Sequence, residues 1–173
     1  MKFIYKTLLF VIKKLKIYHK EIYTQSLRYR FKKCGYNIKF YGNNIPVIKG
    51  AENITVGNNV FINEYAYLYA RSDAEIIISN NVTISSFAKL ITGGYDINLF
   101  FKGVKAEKDI HINKTIFIGN NCWIGADSII LPGVRITGKN VVIAAGAVVT
   151  KSFNESDVLI AGNPATIKKK SNR

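Results

Sequence analysis

The chain has 173 residues, 48% of them hydrophobic, with 25 Lys and Arg against 11 Asp and Glu. That length suits one domain with an appendage, and that apolar content excludes a disordered chain. A net charge of +14 raises nucleic acid as a partner, so the placement of the charge has to be read first.

The charge is concentrated at the start. Residues 1–50 hold twelve Lys and Arg against the single acid Glu21, while the remainder is nearly balanced. From residue 2 to about 33, Phe3, Leu8, Ile12, Leu15, Tyr18 and Ile22 recur at spacings of three to five, with Lys and Arg between them. This predicts one or two basic amphipathic helices within a segment 1–40. Such a helix fits an anionic membrane surface, or packs on the domain or a sister subunit with its lysines solvated. The apolar run Thr7–Ile12 is cut by Lys13 and Lys14 and has no small-residue cleavage site. It is also far short of the roughly 20 apolar residues of a spanning helix, so a cytoplasmic protein is expected, at most peripheral at the inner membrane face. Cys34 and Cys122 are too few for a disulfide framework and lack metal-ligand spacing.

From about residue 54, short β-branched segments alternate with Asn-Asn and Gly at a period near six. Val56-Gly57-Asn58-Asn59 leads to Ile62, Ile78-Ser79-Asn80-Asn81 to Ile84, and Ile118-Gly119-Asn120-Asn121 to Ile124, Ile130 and Ile136. One aliphatic residue per unit pointing inward, with corners of residues that tolerate left-handed backbone angles, predicts stacked coils around a continuous apolar column. A one-residue slip near Thr137-Gly138 puts Ile143 seven residues after Ile136, and a bulged corner absorbs it. Over loop 92–115 the repeat disappears, and a long excursion from a rigid scaffold is where function tends to sit.

Ile118-Gly119-Asn120-Asn121-Cys122-Trp123-Ile124-Gly125-Ala126, then Ala144 to Lys151, then Ala161-Gly162-Asn163-Pro164-Ala165, together resemble the hexapeptide-repeat acetyltransferases. The flavour is that of the polysaccharide O-acetyltransferases and the maltose and galactoside acetyltransferases. The resemblance covers roughly residues 50–170. It implies a mainly β, left-handed parallel β-helix over 41–173 and a homotrimer with active sites between subunits. It also implies acetyl-CoA as donor, no metal, and a sugar or glycan acceptor. By the same resemblance Trp123, Ala126, Ala145, Thr150 and Lys151 line the pantetheine channel, and Lys168, Lys169 and Lys170 lie near the nucleotide phosphates. Cys122 falls at the small-residue position of its unit and is expected to fill core.

Direct transfer to a hydroxyl needs a base, and relatives carry a His after Thr-Gly-Ser; here the segment is Thr92-Gly93-Gly94-Tyr95-Asp96. Tyr95 stands at the expected position. With His19 in the basic segment, His111 is the sole imidazole of the repeat domain and the favoured base, with Asp96 or Asp109 as orienting carboxylates. Tyr95 as part of the acceptor site, or as a phenol activated by Asp96, is the second reading, and loss of transfer the third. A β-helical carbonic anhydrase would need three His ligands. A non-catalytic, CoA-binding or membrane-recruited trimeric scaffold is the main alternative function. No nucleic-acid partner is expected, since the basic residues match no reading motif.

Overall fold

The computed structural model describes residues 2–104 and 110–171. Helix α1, Lys2–Arg30, is the predicted basic segment as one continuous element. Its last turns dock on the first coil: Leu27 is buried, and Arg28 Nη2 donates to the Ile38 carbonyl at 2.7 Å.

The rest is a three-faced coil of short parallel strands. The first face stacks Lys33–Cys34, Ile54–Val56, Ile76–Ile78, Ile116–Ile118 and Arg135–Ile136. The second stacks Lys39–Tyr41, Phe61–Asn63, Thr83–Ile84, Trp123–Ile124, Val142–Ile143 and Val158–Gly162, and Ala165–Lys170 folds back antiparallel on the last of these. The third stacks Val47–Lys49, Tyr67–Tyr69, Lys89–Ile91, Ile129–Ile130 and Val148–Val149. Parallel register places like over like, so Ile62, Ile84, Ile124, Ile143 and Ile160 form one buried column. Each such side chain taken from water contributes about 1.5–3 kcal/mol.

The Asn-Asn pairs have a physical cause at the corner between the first and second faces. Asn37, Asn59, Asn81, Asn121, Asn140 and Asp157 all have φ between 55° and 59°, a left-handed conformation Asn tolerates better than most residues. Their side chains also form a ladder: each amide donates to the next oxygen at 2.8–3.1 Å, ending on the Asp157 carboxylate. Because a carboxylate only accepts, Asp157 sets the direction of every amide above it. The preceding Asn58, Asn80 and Asn120 accept from the backbone N–H one coil earlier.

One full coil, its three strands between Lys33 and Lys49, precedes the point where the repeat becomes visible in the sequence. Between Phe40 and Ile48 the next corner is two residues longer than the six-residue unit, which hides the period. The Glu64 carboxylate replaces the missing corner bonds, accepting from Asn43 N, Asn44 N and Asn44 Nδ2 at 2.8–3.0 Å. At the later slip the coil continues, as expected. Gly138 is required there because a Cβ would sit 1.8 Å from the Glu155 carbonyl oxygen.

Candidate active site

Thr92 is buried at the corner between the third and first faces, where its hydroxyl accepts from Arg71 N–H at 2.9 Å. The chain leaves the coil there as an antiparallel pair, Gly93–Tyr95 with His111–Asn113. Tyr95 lies directly opposite His111, with ring centroids 4.6 Å apart and planes tilted by 30°. The imidazole therefore stands at the same level of the corner as the tyrosine, supplied by the returning strand.

The group beside the imidazole is a guanidinium. Arg71 Nη1 is 3.4 Å from His111 Nδ1, at the long limit of a hydrogen bond. Arginine only donates, so a hydrogen bond at this position uses the Nδ1 lone pair and leaves the ring proton on Nε2. Gly93 makes room for the arm: a Cβ there would lie 2.2 Å from Arg71 Cδ. The Asp96 carboxylate turns to other work. It caps the short helix α2, Ile97–Phe101, by accepting from Asn98 N at 2.9 Å and Leu99 N at 3.4 Å. Asp109 lies outside the described residues.

The predicted donor residues fall into two groups. Trp123 is 54% exposed on the second face, its indole Nε1 donating to Ser85 Oγ at 2.9 Å. Strand register carries its outward column through Val142 and Leu159 to Lys169. At about 4.8 Å per strand, three steps span some 14 Å. Val142, Leu159, Lys169 and Lys170 also line an open groove of about 720 Å³ at the end of this face. Ala126 and Ala145 stack one coil apart at the adjoining corner, where Gly146 N donates to the Ala126 carbonyl at 2.8 Å. Thr150 and Lys151 are exposed at the other end of the third face, on the corner that carries His111. Cys122 is buried, and burial pushes its thiol up to about 11.

Arg71 and Ser85 were not singled out from sequence. Ser85 was findable, since aligning the repeats places Thr83 beside Trp123 and Ser85 two residues on. Arg71 had only a weak signal, a planar cation one coil before the excursion.

The profile described as "Hexapeptide repeat of succinyl-transferase" matches residues 115–151. The galactoside O-acetyltransferase of Lactococcus lactis is 32% identical over 123 residues, covering 71% of this chain and 56% of that protein. The putative colanic acid biosynthesis acetyltransferase WcaF of Escherichia coli is 33% identical over 115 residues, covering 66% and 57%. The chain thus spans little more than half the length of these relatives. Among solved structures, the hexapeptide-repeat acetyltransferase VCA0836 of Vibrio cholerae, complexed with acetyl-CoA, superposes with a TM-score of 0.73. It is 25% identical, with 91% of this chain and 83% of that one covered.

A triangular coil of hexapeptide units with one excursion, matched by that profile, defines a hexapeptide-repeat protein. Within that class the chain belongs to the acetyltransferase family that includes the galactoside O-acetyltransferases and WcaF.

Proposed function

We propose that the protein is an acetyl-CoA-dependent O-acetyltransferase acting by direct transfer on a sugar or polysaccharide hydroxyl. The observation that carries this reading is the pairing of His111 with Tyr95, which brings an imidazole to the corner where the family resemblance implies one. His111 takes the proton of the acceptor hydroxyl as its oxygen attacks the thioester carbonyl. The C–S bond then breaks, and the CoA thiolate leaves and is protonated. On the tautomer that Arg71 favours, the receiving lone pair is on Nδ1, so the acceptor hydroxyl takes the guanidinium's place. Until the acceptor binds, Arg71 holds the imidazole and Gly93 leaves room for its arm, and Tyr95, half exposed, borders the acceptor.

Acyl transfer through Cys122 has no support, because its thiol is buried and protonated at neutral pH. The donor lies along the Trp123–Lys169 column and the Ala126–Ala145 corner. A three-residue strand is about 10 Å long, so the third face separates this surface from His111, Thr150 and Lys151. A second protomer placing its His111 corner against that surface closes the gap, which favours a homotrimer with sites between subunits. The names of the relatives support a sugar or glycan acceptor and acetyl-CoA as donor.

The test is acetyl-CoA turnover over a panel of sugars and capsule oligosaccharides. His111→Ala should lower turnover about 10²–10⁴-fold with donor affinity retained, and Tyr95→Phe should have a smaller effect. Full activity in His111→Ala with loss in Tyr95→Phe would transfer the role to the tyrosine. Donor binding without turnover on any acceptor would favour the non-catalytic scaffold, the reading that Tyr95 at the expected His position supports.

A further inference from the structure

Helix α1 is long, and only its C-terminal turns touch the coil. Ile4, Tyr5, Leu8, Phe10, Leu15, Ile17 and Tyr18 are each 52–69% exposed. Isolated exposed apolar residues are ordinary, but a contiguous apolar surface along five turns marks a binding face. Among the described residues no helix is long and apolar enough to cross a membrane.

The angular arrangement shows what fits this face. At about 100° per residue, Lys2, Lys6, Lys13, Lys16 and Lys20 fall within one arc of about 80°. The opposite side, from Tyr18 through Val11, Ile4, Ile22, Leu15, Leu8 and Ile12 to Tyr5, is an apolar arc of about 140° interrupted by His19. Phe10 and Ile17 extend it on the far flank, where Lys14 and, near the docked end, Arg28 interrupt it. Lysines on long stems can reach water from the rim of a sunken helix.

Two occupants could cover such a face, and the residues discriminate between them. Ile4, Leu8, Val11, Leu15, Tyr18 and Ile22 run at spacings of four and three, a seam that a second copy of the helix could pack against. Such a seam would leave Tyr5, Phe10, Ile12 and Ile17 in water, and would gather several helices that each carry eight Lys and Arg against Glu21. An anionic bilayer covers the wide arc and neutralises the lysine stripe together. We infer that α1 is an interfacial helix that lies in the plane of an anionic lipid surface, apolar arc inward, and holds the coil domain against it.

The experiment is sedimentation of the full chain with vesicles of phosphatidylcholine alone or with about 30% phosphatidylglycerol, at low and high salt. Binding should require the anionic lipid and weaken with salt. Lys6, Lys13 and Lys16, all exposed, reversed to Glu together should lower partitioning at least tenfold, since each lysine near the surface contributes about 1 kcal/mol. Leu8→Ser with Leu15→Ser should do the same. Circular dichroism checks that both variants keep the coil. Failure of the full chain to bind anionic vesicles, or unchanged binding in both folded variants, overturns the inference. So does a lipid-free oligomer that dissociates in Leu8→Ser/Leu15→Ser while the parent ignores vesicles, which would assign the face to a second copy. None of these readouts involves acetyl transfer, so the inference stands or falls apart from the proposed activity.

Discussion

Asn81 sits mid-ladder, and replacing it separates the two reasons for an Asn at these corners. Its side chain accepts from Asn59 Nδ2 at 3.0 Å and donates to Asn121 Oδ1 at 2.9 Å, and its φ is 58°. Both bonds are exposed, so each contributes near the low end of the usual range, about 0.5 kcal/mol, or about 1 kcal/mol together. Asn81→Gly loses both bonds but keeps the left-handed backbone, with about 0.5–1 kcal/mol more lost to unfolded-chain entropy. Asn81→Ala loses the same bonds and strains the backbone by about 1–2 kcal/mol. Expected losses are therefore roughly 1.5–2 kcal/mol for Gly and 2–3 kcal/mol for Ala, read by urea unfolding with the slope checked for constancy. Alanine as stable as glycine would refute the left-handed requirement. A loss below about 0.5 kcal/mol in both would refute the ladder's contribution.

Three further outcomes are expected. Hydrogen bonds from the Asn44 side chain, the Asn44 backbone and Asn43 hold the Glu64 carboxyl below its ordinary value. A depressed carboxylate stabilises the fold above its unfolded pKa, and that contribution is lost as pH falls through the folded one. The melting-temperature gap between the parent and Glu64→Gln should thus be full at neutral pH and close in acid below about pH 4; a gap independent of pH would contradict this. With its thiol raised to about 11 by burial, Cys122 should alkylate more than about 100-fold more slowly at pH 8 than an ordinary thiol. Mass spectrometry of native and urea-unfolded protein measures it, and native labelling at the unfolded rate would show the coil open at that corner. Trp123→Ala should weaken acetyl-CoA binding about tenfold or more and Ser85→Ala by less, since Ser85 only orients the indole. Isothermal titration decides, and unchanged affinity in both would move the donor off the second face.

The repeat domain was legible because its period is local. Ile62, Ile84 and Ile124 each follow a corner whose Asn or Gly requirement is written in adjacent residues, so coil, core column and the fate of Cys122 could be read from spacing. The coil before residue 54 was not legible, because its lengthened corner at Gly42–Pro46 depends on Glu64, twenty residues away in sequence. The basic amphipathic character of α1 was equally plain, whereas its single continuous run and its projection from the coil depend on how few of its side chains find a partner.

The site divides in the same way. That His111 is the repeat domain's one imidazole and Tyr95 the substituted position could be read from residue identities. That the two face each other across an antiparallel pair was decided by the register of the excursion. Asp96, adjacent in sequence and of suitable chemistry, caps α2, and Arg71, forty residues from His111, stands beside its ring. Local pattern determines which residue types can bend, stack or titrate. Which of them meet depends on long-range register, where one coil of the stack brings residues about twenty or forty apart to within 5 Å.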